Sequence, residues 1–148
     1  MTSKEINDLF YICSLIEFIG RKTKNRRADI MKILGDNEIE RQLNLADVNH
    51  CLSFEQVSDE IIDFFNIKEG DFDTVAMCKY NVPTVQSIGK VYQRLIVDTI
   101  SSEESVADKI IEVFNSFISD EISNFNSSVY YSNPDYLKHS YLQGELLE

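Results

Sequence analysis

His50 beside Cys51 is the one place in this chain where a base and a nucleophile are adjacent. A catalytic cysteine needs an imidazole within hydrogen-bond reach and a third group to hold that imidazole in one tautomer. Neighbours in sequence rarely point together, and no third residue stands out as the orienting group. The expectation is therefore a structural histidine and a buried cysteine. Metal binding has less behind it. His50 and His139 lie 89 positions apart, and no ligand pair has the spacing of a helix face or a zinc knuckle. The sequence holds no glycine-rich phosphate loop, no HExxH and no GxSxG. Catalytic residues, metal and cofactor are all expected to be none.

Charge chemistry is concentrated in one stretch. Arg21, Lys22, Lys24, Arg26 and Arg27, continued by Lys32, face the single acid Asp29. On an otherwise acidic chain such a run can dock an acidic partner or a phosphate; its plainer meaning is a solvated loop and helix face. Nucleic acid is disfavoured, because no aromatic platform is interleaved with these bases. The net charge of −11 and pI near 4.6 also repel phosphate and anionic membrane. The imbalance grows along the chain, with nine acids and two bases in residues 102–148.

On a helical wheel Glu121 falls inside an apolar arc, flanked by Phe114, Phe117 and Phe125. A carboxylate there needs a cation or an exit to water through its stem. The candidate partner is Arg94, which stacks with Lys90 at i, i+4 on the outer face of its own helix.

The elements that would carry these groups read as helices. Thr2 with Glu5, and Ser53 with Gln56, have capping-box spacing. Ile6, Leu9, Phe10, Cys13, Ile16 and Ile19 form an apolar stripe that should end at Gly20. A short helix closed by Gly35 and a restart at Asp36 or Asn37 come next. A strongly amphipathic helix follows Ser53. Residues 68–83 read as a connection in which Thr74–Tyr80 is either extended or a buried loop. Pro83, with Thr84 or Asn81 as cap, starts a helix bearing Ile88, Tyr92, Leu95 and Ile96. Gly89 at the edge of that stripe invites close approach of a second helix. Residues 102–126 read as one long helix whose apolar arc spans about half its circumference.

The expected fold is therefore all-α: a bundle of six or seven helices with a long antiparallel αα-hairpin over 84–126. Its parts would be a lobe over 1–67, a connection over 68–83, and the hairpin with a tyrosine-rich tail over 84–148, together one domain. Tyr130, Tyr131, Tyr136 and Tyr141 fit a tail that wraps the domain or docks a partner. Cys13, Cys51 and Cys78, widely spaced, suit a reducing compartment. With no apolar run of 18 residues and no leader pattern, the chain is expected to be cytoplasmic.

Residues 8–67 resemble a family of small uncharacterised bacterial helical proteins. The likeness rests on the run from Leu45 to Leu52, where Asp47 and His50 match an Asp-x-x-His element, and on the following Phe54–Ile61. Ala46 replaces the usual Tyr, and Cys51 and Ser53 stand where small Thr or Gly residues are usual. Such proteins look like companions of ADP-ribosyltransferase-like proteins encoded beside them. The resemblance implies an accessory, antitoxin-like role with a protein partner. Two alternatives accompany it: a self-associating bundle forming a homodimer, and a small helical enzyme using His50 and Asp47.

Overall fold

Thr2 Oγ1 accepts the Glu5 amide at 3.1 Å while Glu5 Oε1 accepts the Thr2 amide at 3.2 Å, so both halves of the first capping box form. In the computed structural model, which describes residues 1–148, this cap opens helix α1 (Ser3–Thr23). The helix does not stop at Gly20. It runs almost one turn further, until Lys24 takes a left-handed conformation at φ 58° and donates its amide to the Gly20 carbonyl.

Helix α2 (Arg27–Asn49) is interrupted where the glycine predicts: Gly35 has φ 72° and ψ 176°, and the helix resumes beyond it. Helix α3 (Phe54–Phe65) opens on Ser53, whose hydroxyl accepts the Gln56 amide. Thr84 does the same for Ser87 at the start of α4 (Val85–Thr99). Helices α5 (Val106–Asn115) and α6 (Ile118–Ser123), a 3₁₀ turn at Val129–Tyr131 and α7 (Pro134–Gln143) complete the chain.

All seven α-helices build one core, as the apolar patterning predicts. Helix α1 is its axis: α4 lies along most of its length, α2 packs on it and on α5, and α7 covers α4. Leu9, Ile12, Ile16 and Ile19 of α1 meet Ile88, Tyr92 and Ile96 of α4, with Phe114 of α5 behind them. The Tyr92 and Phe114 rings stack at 4.0 Å between centroids. Gly89 fills the role its position suggested. A Cβ built there would lie 2.0 Å from Ser14 Oγ and 3.1 Å from the Ser14 backbone. The buried cluster extends unbroken from α1 to α7, so helices on both sides of residues 68–83 share it.

Those connecting residues are pinned by hydrogen bonds. The Gly70 and Phe72 amides reach the Thr23 and Lys24 carbonyls at 2.8 and 2.9 Å, and Asn25 Nδ2 holds the Lys68 carbonyl. Farther on, Asn126 clasps the segment at both ends of a short span. Its amide donates to the Met77 carbonyl and its Oδ1 accepts from the Lys79 amide. Thr74–Met77 is a turn, braced by the Ala76 amide on Asp73 Oδ1, and no strand forms there.

The long antiparallel hairpin expected over 84–126 does not form as one packed pair: its second arm comes in two pieces, and α5 packs chiefly on α2 while α4 packs on α1. Residues 101–105 are a turn, Ser105 is the cap of α5, and Ser116 breaks the helix with an extended ψ of 168°. Ser116 Oγ donates to the Val113 carbonyl at 2.7 Å, offering the backbone an alternative to helix continuation.

The Glu121–Arg94 pair, the alternative to an exit to water, does not form. The break at Ser116 re-phases α6, leaving Glu121 half-buried and without a salt bridge, while Arg94 reaches Asp98 in its own helix at 2.8 Å.

Candidate functional site

The Asp47–His50 element lies where three helices leave a gap. Helix α1 contributes Asp8, Phe10 and Tyr11, and the end of α2 contributes Asp47 and His50. The turn into α3 adds Leu52 and Phe54, and Gln86 of α4 closes one side. Together they line a cleft of about 660 Å³. Helix α2 ends there through tight turns, with the Cys51 and Leu52 amides on the Val48 and Asn49 carbonyls. Ser53 then caps α3 and aims Phe54 back at α1.

Aromatic rings run along this edge of α1. The His50 ring meets Tyr11 edge-on at 6.5 Å, Tyr11 meets Phe54 at 5.5 Å, and Phe54 meets Phe18 at 5.7 Å. Tyr11 and Phe18 are seven residues apart, two turns of one helix, so Phe54 sits between rings on the same face. Ammonium groups cap this apolar track. Lys90 Nζ is 4.9 Å from the Phe10 ring centre and Lys22 Nζ is 6.0 Å from that of Phe18. Lys4 Nζ bridges two carboxylates, Asp8 at 2.7 Å and Asp47 at 3.3 Å. Hydrogen bonds to Asp8 and then Asp47 hold the Lys4 ammonium above its ordinary pKa.

Asp47 thus engages Lys4, and no hydrogen bond or salt bridge joins it to His50. Cys51 is exposed rather than buried, because it lies in the turn outside the core. It makes no hydrogen bond with His50 either. The buried thiol is Cys13 on α1.

The basic run is distributed among acids of the same chain. Arg27 is 1% exposed and makes two hydrogen bonds to the fully buried Glu17, at 2.9 and 3.0 Å. That removes it from any partner surface, correcting its place among the docking candidates. Desolvation alone would lower the Arg27 pKa, but the Glu17 charge and hydrogen bonds outweigh it and hold the value raised. Arg21 shares Glu17 at 2.7 Å, donates to the Pro83 carbonyl and lies over the Phe125 ring. Lys22 contacts Glu55 and Asp59, Lys24 contacts Glu69, and Arg26 makes a two-pronged pair with Asp120.

The tail folds back. Tyr136 Oη donates to the Leu147 carbonyl, Tyr130 packs edge-on against Phe125, and Tyr141 stands under the Lys109 ammonium. Burial first, then its bond to Glu112, pushes the Tyr141 phenol up. Tyr131 alone of the four is exposed, at 68%.

Sequence reasoning found Asp47 and His50 but missed the aromatic track beside them. Phe10 and Tyr11 look like ordinary stripe residues, and only the spacing of Tyr11 and Phe18 on one face hints at a shared edge. No helix is long and apolar enough to cross a membrane. No known protein family, curated protein or solved structure matches this chain.

Proposed function

We propose that this protein is a non-catalytic accessory protein, antitoxin-like, that binds an effector protein encoded beside it through the Asp47–His50 cleft. The observation that carries this is the cleft itself: the exposed His50 ring and the half-buried Phe10 and Phe54 rings line it over the buried Tyr11, beside two carboxylates. Aromatic side chains with a polar margin are the usual anchors of protein interfaces. The resemblance of residues 8–67 adds the partner class, an ADP-ribosyltransferase-like protein in the bacterial cytoplasm. The acidic surface favours fast encounter with a basic partner and discourages competing acidic ones.

Co-expression of the tagged protein with the products of its flanking genes tests the reading. A stoichiometric partner that survives moderate salt and protects the 47–54 amides from hydrogen exchange is the expected result. Recovery of this protein alone, across all flanking products, removes it.

A second reading, self-association, has an observation of its own. Met77 and Tyr80, each 70% exposed, flank the Asn126 clasp, and Tyr131, 68% exposed, packs on Tyr130, which meets Phe125 next to Asn126. Light scattering over a dilution series separates the two readings. A dimer that dissociates on substituting Tyr131→Ser supports self-association, and a monomer at high concentration ends it.

A further inference from the structure

We propose that the cleft recognises an arginine or lysine side chain of its protein partner, and that Lys4 occupies that side chain's place in the free protein. The inference rests on the cleft being the partner-binding surface and adds the chemistry of what enters it.

The two acids that line the cleft already share a cation, which reaches them from the rim. Two carboxylates, Asp8 on α1 and Asp47 on α2, come close enough to share one ammonium, and the group they share is the mobile end of Lys4. Asp8 is largely buried, so its charge is less screened than that of a surface acid. Lys4 and Asp47 are mostly exposed, and no other hydrogen bond fixes the ammonium. Exposed pairs of this kind are weak and exchangeable. A guanidinium arriving from outside has a fork that can bind two carboxylate oxygens at once and a flat face that stacks on aromatic rings. The exposed His50 and the half-buried Phe54 supply such faces in the cleft that Asp8 and Asp47 also line, with the buried Tyr11 ring packed between them.

The chain's own cations show the same preference along this edge, with Lys90 over Phe10 and Lys22 over Phe18. An acidic side chain in the same place would meet Asp8 and Asp47 across a short gap, and like charges there repel. The occupant is therefore basic. Lys4 makes it compete for its seat.

The test uses the full chain labelled for amide NMR and a capped hexapeptide of alternating leucine and arginine. The same peptide with citrulline in place of arginine keeps shape and removes charge. Arginine peptide should shift the Asp8, Tyr11, Asp47, His50 and Phe54 amides saturably, and citrulline peptide should not. Lys4→Met should tighten binding about two- to five-fold, the strength of an exposed ion pair. Lys32→Met makes the same change in net charge at a lysine with no ion-pair partner, and should change affinity little. Asp47→Asn should weaken binding several-fold while leaving the spectrum folded.

Equal binding of both peptides, shifts centred elsewhere, or equal effects of Lys4→Met and Lys32→Met each overturn the inference. Such a failure leaves the accessory-protein reading to its own test: a co-purified partner protecting a different surface keeps that reading and discards this one.

Discussion

The guanidinium stem of Arg27 occupies the space that a side chain on Gly20 would take. A Cβ on Gly20 would lie 2.4 Å from Arg27 Cδ and 2.5 Å from Nε. The glycine that seemed to end α1 is instead the opening through which the start of α2 inserts a charge to meet Glu17.

Removing the carboxylate of this buried pair should be severe. Glu17→Leu strands the buried Arg27 guanidinium and should cost about 3–5 kcal/mol in urea unfolding, whereas Arg27→Met should cost less because Arg21 still pairs with Glu17 at 2.7 Å. Gly20→Ala should cost about 1–3 kcal/mol by overpacking against Arg27. The double change Glu17→Leu with Arg27→Met should cost less than the two single changes summed, because neither charge is then stranded. Full additivity would show that the pair is not coupled.

Gly89→Ala sets two effects against each other. Alanine gains about 1 kcal/mol in helix propensity. The new methyl must displace Ser14, including its backbone, and overpacking of this kind costs about 1–3 kcal/mol. With contacts as short as these, packing should win and the variant should melt lower. Ser14→Gly in the same background should recover most of the loss; an unchanged melting temperature in Gly89→Ala would mean the helices are farther apart.

The three thiols should separate by reactivity. Cys51 is exposed and should react first with a disulfide reagent, Cys78 more slowly, and Cys13 only on unfolding. Burial pushes the Cys13 thiol far above its ordinary value, so little thiolate forms in the folded chain. A rapid Cys13 signal at neutral pH in non-denaturing buffer would contradict the packing of α1.

Alkaline stability should depend on Tyr92. Its phenol is fully buried, and burial raises its pKa more than the hydrogen bond to Ser119 lowers it. A folded value above the unfolded one means the contribution is complete below pH about 10 and is lost as pH rises towards the folded value. Tyrosinate absorbance should therefore show Tyr92 ionising only as helical circular dichroism is lost. Tyr92→Phe should move that alkaline midpoint upward while costing about 1 kcal/mol near neutral pH. Ionisation of all seven tyrosines with the helices intact would refute it.

Local signals were readable wherever a side chain acts on its own backbone. The caps at Thr2, Ser53 and Thr84, and the interruption at Gly35, all depend on neighbours within four residues. The break at Ser116 was hidden because the apolar residues beyond it still fall in one arc when wound as a single helix, whereas the folded α6 is turned to bury Ser119 and Ser123. The same continuous winding put Glu121 inside the arc and offered it Arg94. The partners of the basic run were invisible because they come from afar: Glu55, Glu69 and Asp120 reach it only in the folded state. In the candidate site, Asp47 and His50 stood out by type, whereas the ring track needed α1, α3 and the end of α2 assembled.

The pairing of α1 with α4 also sets an order in time. During synthesis α1 emerges first, but α4 is not complete until residue 99. At about 5–20 residues per second, the apolar face of α1 waits roughly 4–15 s for the surface that covers it. In that interval α2 and α3 can shield only part of it. The nascent chain therefore presents a sticky amphipathic helix on the ribosome, and truncations ending before α4 should be captured by chaperones rather than fold.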